Sequence, residues 1–173
     1  LGDVYKRQLQ GGFQKVTGHH AALFFGRRNL SDACADKAVR LFMEAGVPAE
    51  KIVLGIPFYS RKWEDVKGGG TGLGQEALTV GGYGPDYGEL TASYIGKNGY
   101  CRYWDEEAKA PYLFDGKTFI SYEDPVSITE KITYCREKGL YGIMYWEYKC
   151  DSAGVLTGFI RGKMDRLAEE RRK

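Results

Sequence analysis

One stretch constrains the architecture of this chain more than any other. Gly139-Leu140-Tyr141-Gly142-Ile143-Met144-Tyr145-Trp146-Glu147-Tyr148 is an apolar, β-rich run punctuated by glycine and closed by an aromatic and an acid, with helical patterns before and after it. Buried strands of a parallel sheet read this way, because helices cover the sheet and no polar alternation is needed. In a β/α barrel the side chains at the carboxyl end of such a strand face the active site, which makes Trp146 and Glu147 candidate site residues. The competing reading makes Trp146 a large core residue capping a strand, and spacing alone does not separate the two.

The rest of the chain supports a parallel arrangement interrupted once. Ala35, Ala38, Val39, Phe42 and Met43 fall at helical spacing, with Ser31 or Asp32 as a cap and Gly46 and Pro48 as the stop. Lys51-Ile52-Val53-Leu54-Gly55-Ile56-Pro57-Phe58-Tyr59 then reads as one strand buried on both faces. Asp124-Pro125 opens a second helix, Ile128, Ile132 and Cys135 give its buried stripe, and Gly139 ends it. A last amphipathic helix carries Leu156, Phe159, Ile160, Met164 and Leu167. Such alternation predicts an α/β fold with a parallel sheet covered by helices. Between Arg61 and Asp124 the pattern changes to Gly-rich turns and short aromatic alternations, the signature of a small inserted antiparallel element. Its glycines follow neither the GK[ST] nor the GxGxxG order, so they form a loop and not a phosphate cradle. The stretch Leu9 to Asn29 has no sustained period and reads as a loop.

Composition narrows the function classes. At 43% hydrophobic and 28% charged, the chain is neither fibrous nor disordered. A net charge of +2 with interleaved signs gives no field for nucleic acid or an anionic membrane, and no run is long enough to span a bilayer. Thirteen tyrosines supply rings that stack on flat apolar faces such as sugars. Cys34, Cys101, Cys135 and Cys150 lack CxxC spacing and read as free or partly buried thiols. His19 and His20 are adjacent in a loop without other ligands nearby, which favours a loop role over a metal, and neither metal nor cofactor is expected. Leu1 to Gln8 back-translates to CTC GGA GAT GTG TAT AAG AGA CAG, which looks like a transposase adapter read in frame, so residues 1–8 are set aside from the fold.

Five ordered stretches together resemble the last part of glycoside hydrolase family 18, the chitinase family. They are Val16-Thr17-Gly18-His19-His20-Ala21-Ala22-Leu23, then Gly55-Ile56-Pro57-Phe58-Tyr59-Ser60-Arg61, then Tyr103-Trp104-Asp105 with Pro111-Tyr112-Leu113-Phe114, then Phe119 through Pro125, and Gly142 through Glu147. The resemblance implies the C-terminal part of a (β/α)8 TIM barrel, strands seven and eight with flanking helices over 9–61 and 125–173, carrying an α+β insertion over 62–124. It implies retaining, substrate-assisted hydrolysis of β-1,4-linked N-acetylglucosamine, an exception to the usual carboxylate pair.

By the same resemblance Trp146 is the hydrophobic floor under the sugar at the cleavage subsite and Met144 lines that pocket. Tyr59 and Arg61 match residues that hydrogen-bond substrate hydroxyl and carbonyl groups, although Ser60 stands where the family has glycine. The expected partner is chitin or another N-acetylglucosamine glycan, and the expected location extracellular or on the cell surface. The family's proton-donating motif DxxDxDxE does not occur in these 173 residues, nor does the sixth-strand Met-x-Tyr-Asp, so no residue here is expected to be catalytic. Glu147 reads as a structural carboxylate, and Trp104, Tyr112 and Tyr122 as the insertion's own core. Alternatives are a non-catalytic chitin-binding lectin and an endo-N-acetylglucosaminidase or peptidoglycan hydrolase of the same family.

Overall fold

The computed structural model describes residues 12–28 and 32–170. The adapter-like residues 1–8 and Ser31 lie outside them. In chain order the elements are α1 (Ala35–Glu44), β1 (Val53–Pro57), β2 (Tyr59–Trp63), β3 (Gly82–Asp86), α2 (Tyr87–Glu89), β4 (Cys101–Asp105), β5 (Ala110–Phe114), β6 (Phe119–Ser121), α3 (Pro125–Glu137), β7 (Gly142–Trp146) and α4 (Val155–Glu170).

β1 and β7 pair in parallel, from Val53 opposite Gly142 to Pro57 opposite Trp146. Opposed residues on parallel neighbours share a face, so Leu54, Ile56, Ile143 and Tyr145 point one way and Gly55, Pro57, Met144 and Trp146 the other. The first set meets the helices. Leu54 packs with Val39 of α1 and Cys135 of α3, while Ile56 packs with Ile128 and Ile132 of α3 and with Leu156 and Ile160 of α4. In the second set Met144 is half-buried and Trp146 is 47% exposed, and among the described residues none of the four joins the core clusters formed with the helices. The expectation of strands buried on both faces is corrected accordingly, because among the described residues no further parallel strand pairs with either β1 or β7 to cover that side.

The single strand expected over Lys51 to Tyr59 is also corrected. The chain leaves the parallel pair after Pro57, and after Phe58 it enters β2 of a five-stranded antiparallel sheet ordered β3-β2-β6-β5-β4. Phe58 is the pivot. Its N–H donates to the Trp146 carbonyl at 2.7 Å, and its ring stacks on Tyr145 with centroids 4.6 Å apart. Tyr59, expected at the end of the parallel strand, thus stands with Arg61 on β2, where Arg61 lies opposite Tyr83 of β3 and Ser121 of β6.

The inserted sheet buries one core of its own and shares another. Trp63, Leu73, Tyr112, Phe114 and Phe119 form the first. Tyr122, expected in that core, packs instead with Phe58, Ile128 and Leu156 in the core that joins the sheet to α3 and α4. Trp104 is only half-buried and donates its indole N–H to Glu106 at 2.6 Å, so it too departs from the expectation of a core residue. The Gly-rich loop is tied down at Gly72: its φ of +77° favours glycine, and a Cβ there would meet the Phe114 ring at 2.6 Å.

The helix ends follow local chemistry. At α3, Asp124 accepts from the Val126 and Ser127 amides while the Ser127 hydroxyl accepts from the Asp124 amide, a capping box with Pro125 in the first turn. At α1 the residue before the helix is Cys34, with no side-chain cap, and Asp32 pairs with Lys37. The orphan amides of Ala35 and Asp36 donate instead to the carbonyls of Ala22 and Leu23, so the helix is capped by neighbouring backbone. Met43 and Met164, placed by periodicity on apolar stripes, are 40% and 44% exposed.

Candidate functional site

The candidate site is built at the seam where the parallel pair hands over to the inserted sheet. Trp146 and Met144 come to one face of β7 by the two-residue period of a strand. Gly55 and Pro57 opposite them on β1 add little bulk to that face. A large ring therefore stands on a floor of small residues at the carboxyl end of the strands, where β/α folds present their sites. The peptide bond between Trp146 and Glu147 is cis.

β2 continues the wall from Phe58. Tyr59 is half-buried, whereas Arg61 is only 8% exposed and so is no surface charge. Its guanidinium donates to the Gly81 carbonyl at 3.1 Å, lies 4.1 Å from the Tyr83 ring centroid and 5.8 Å from that of Tyr59. The two tyrosine rings meet edge to face at 5.7 Å. A cation held between aromatics near a surface keeps its donors aimed while part of its solvation is replaced by the ring faces. The structure thus brings Tyr59 and Arg61 together on β2 and Met144 and Trp146 together on β7, and joins the two pairs through the Phe58–Trp146 hydrogen bond.

The burial of the loop behind this wall escaped sequence reasoning. Residues 17–23 have no regular structure, yet every one is buried. A buried loop must account for its backbone groups, and this one does so through its neighbours. Thr17 N–H donates to the Gln75 carbonyl at 2.9 Å and its hydroxyl to the Gly72 carbonyl at 2.6 Å; Leu23 N–H donates to the Ala108 carbonyl at 3.0 Å. The Ala21 carbonyl accepts from the Lys131 ammonium at 2.7 Å.

His20 locks the loop beneath β2. Its Nε2 lies 3.1 Å from the Tyr59 carbonyl, which can only accept, so Nε2 carries the proton. Nδ1 then accepts from the Ser121 hydroxyl at 2.8 Å, and that same oxygen accepts from the His20 amide at 3.1 Å. Burial pushes the His20 pKa down to about 3, with the Lys131 charge adding to the shift, so the ring stays neutral. His19 points the other way, its Nε2 3.0 Å from Asp105. Burial would raise the Asp105 carboxyl, but the His19 contact and the amides of Ala108 and Glu107 hold it below its ordinary value. Adjacent histidines at such spacing could have hinted at opposite-facing anchors; nothing in the local pattern showed that both are buried.

Other groups show what the site lacks. Glu147 is half-buried and pairs with the exposed Lys149 at 3.0 Å. Among the described residues no group of three or more His, Cys, Asp or Glu side chains could hold a metal ion, and no helix is long and apolar enough to cross a membrane. The four cysteines are free, with Cys34, Cys135 and Cys150 buried and Cys101 exposed.

The site thus lies on an α/β chain whose strand β7 ends in an exposed aromatic and whose antiparallel sheet bears a tyrosine and a buried arginine. The profile of Glycosyl hydrolases family 18 matches residues 3–151, and the chain belongs to that family. It is 38% identical over 177 residues to Chitinase A1 of Niallia circulans, covering 94% of this chain and 25% of the relative. A family 18 N-acetylglucosaminidase from Paenibacillus barengoltzii superposes with a TM-score of 0.86 at 52% identity, over 89% of this chain and 46% of that one. Chitinase ChiW from Paenibacillus sp. str. FPU-7, described as a cell-surface-expressed multi-modular enzyme, superposes with a TM-score of 0.75 at 45% identity, over 83% of this chain and 17% of that one. The chain therefore spans less than half the length of each.

Proposed function

We propose that this chain forms one side of the substrate cleft of an enzyme that hydrolyses β-1,4-linked N-acetylglucosamine polymers such as chitin. Barrel and insertion divide near 61 and 124 in the sequence; in this reading the first boundary moves back to Phe58, because β2 already belongs to the inserted sheet from Tyr59. Hydrolysis proceeds with retention, the sugar's own acetamido oxygen attacking the anomeric carbon while a carboxylic acid protonates the leaving oxygen. Trp146 is the apolar floor under the reacting sugar and Met144 lines the same pocket. Tyr59 and Arg61 hydrogen-bond its hydroxyl and carbonyl groups. The observation that carries the reading is the placement of Trp146: a large ring, 47% exposed, at the carboxyl end of β7 on the strand face opposite Ile143 and Tyr145, and one hydrogen bond from Phe58, which leads into the strand bearing Tyr59 and Arg61.

The proton donor belongs to a longer polypeptide, since no DxxDxDxE run occurs in the 173 residues and Glu147 is engaged with Lys149. The 173-residue chain alone is inactive. The name of ChiW supports action outside the cell or at its surface. A second reading, favoured by the 52% identity to a family 18 N-acetylglucosaminidase, is that the enzyme releases single N-acetylglucosamine units.

The test is hydrolysis of N-acetylglucosamine oligomers by the longer protein and by the 173-residue chain, with the anomer of the first-formed product read by NMR. The expected result is β-product from the longer protein and no turnover by the chain above a Trp146→Ala control. An α-product, or turnover by the chain alone, would overturn the reading. The size of the product separates the first reading from the second.

A further inference from the structure

The side chain that stands out beyond the site just described is Tyr83. It is 74% exposed on β3, directly opposite Arg61 in register, with the Arg61 guanidinium 4.1 Å from its ring centroid and its ring edge-on to Tyr59 at 5.7 Å. An exposed aromatic usually turns freely at little cost. This one cannot, because the cation beneath it is itself fixed: Arg61 is 8% exposed and anchored on the Gly81 carbonyl at 3.1 Å. The strand is fixed as well, since Ser60 beside Arg61 donates its hydroxyl to the Pro85 carbonyl at 2.6 Å, and a Cβ on Gly84 would meet that hydroxyl oxygen at 2.4 Å. One side of the Tyr83 ring is thus occupied by the guanidinium, and the rest is presented to solvent in a set orientation. A rigid, open aromatic face whose ordering cost has been met in folding suits a pyranose ring, which offers flat C–H patches ringed by hydroxyls.

We infer that Tyr83 is a sugar-stacking platform that extends the cleft from Tyr59 and Arg61 outward along β3, and that it sets how strongly longer N-acetylglucosamine oligomers are held. The inference rests on the proposed glycan cleft and adds a contact to it. Tyr83 touches a sugar unit remote from the reacting one, so its contribution appears with chain length. Short substrates that end at the reacting pocket do not reach it.

The experiment uses the longer enzyme with the substitutions Tyr83→Ala and Tyr83→Trp. A two-sugar chromogenic N-acetylglucosamine substrate and the unlabelled hexamer are assayed side by side. Tyr83→Ala is expected to lower kcat/KM on the hexamer about three- to tenfold, mostly through KM, the range expected of one aromatic stack, and to lower it clearly less on the two-sugar substrate, which feels only the loosening of Arg61. Tyr83→Trp is expected to keep or improve hexamer binding. Unchanged hexamer kinetics in Tyr83→Ala would overturn the inference and leave the proposed function standing. An equal loss on both substrates would also overturn it, by showing that the ring acts only through Arg61. Absence of turnover of either substrate by the wild type would overturn the proposed function, and this inference with it.

Discussion

Replacing Lys131 by methionine tests how the buried loop is held against the helices. Lys131 sits on α3 with its side chain 1% exposed, donates to the Ala21 carbonyl at 2.7 Å, and pairs with Glu123, whose side chain is also 1% exposed. Glu123 keeps a second contact, from the Ser127 hydroxyl at 2.7 Å. Lys131→Met leaves the carboxylate buried with that one donor and strips the Ala21 carbonyl of its partner. Breaking a buried pair in this way costs about 3–5 kcal/mol. Burial raises the Glu123 carboxyl above its ordinary value, while the Lys131 charge and the Ser127 hydroxyl work against the rise. A raised carboxyl favours folding below its unfolded pKa and loses that contribution as the pH rises through the folded one. Without Lys131 the rise is larger, so the loss should be smaller at pH 5 than at pH 8. Urea unfolding of the longer enzyme at the two pH values is the assay, with the double substitution Glu123→Leu, Lys131→Met as control. The double variant should recover to within about 2 kcal/mol of wild type, because two apolar groups need no partner. A single-variant loss below about 1 kcal/mol, or a double variant as damaged as the single, would refute the reasoning.

Two further expectations concern the loop and the open sheet. Because the His20 pKa is lowered from 6.5 to about 3, the folded protein releases a proton that the unfolded chain binds; stability should be full above pH 6.5 and fall as the pH drops toward 3, by at most about 1.4 kcal/mol per pH unit. Thermal unfolding of wild type and His20→Gln checks this, and a wild-type slope identical to that of the variant would contradict it. The 173-residue chain alone should self-associate, since β1 and β7 leave outer edges without a parallel partner among the described residues and Trp146 and Met144 lie on their uncovered face. Light scattering after gel filtration measures it, and a monodisperse monomer with cooperative unfolding would count against it.

The parts that could be read from the sequence are those governed by local rules. Asp124-Pro125 announced its helix because the cap and the proline act within one turn, and the structure shows the capping box. The run from Gly142 to Trp146 announced its strand by composition, and its parallel pairing with Val53–Pro57 follows from the helices between them. What stayed hidden depends on partners far along the chain. β3 runs through Gly82-Tyr83-Gly84-Pro85, which local rules call a turn, because pairing with β2 overrides weak propensity. The break at Phe58 was invisible because Pro57 and Tyr59 both extend the apolar run while belonging to different sheets. The burial of His19 and His20 could not be foreseen, since their partners Asp105 and Ser121 lie 86 and 101 residues away. Of the candidate site, the shared face of Trp146 and Met144 was legible from the period of one strand and their roles were suggested only by the family resemblance, whereas the stacking of Arg61 on Tyr83 required knowing which strand lies beside β2.

The most direct test of the central claim is the kinetics of Trp146→Ala in the longer enzyme on N-acetylglucosamine oligomers, with Trp146→Phe alongside. If Trp146 is the floor under the reacting sugar, removing a ring whose open half meets substrate should cost about 2–3 kcal/mol, or roughly 30- to 200-fold in kcat/KM, while the phenylalanine variant retains most of the activity. Unfolding should change little, because the ring is 47% exposed. Activity of Trp146→Ala within about threefold of wild type, with the fold intact, would contradict the account.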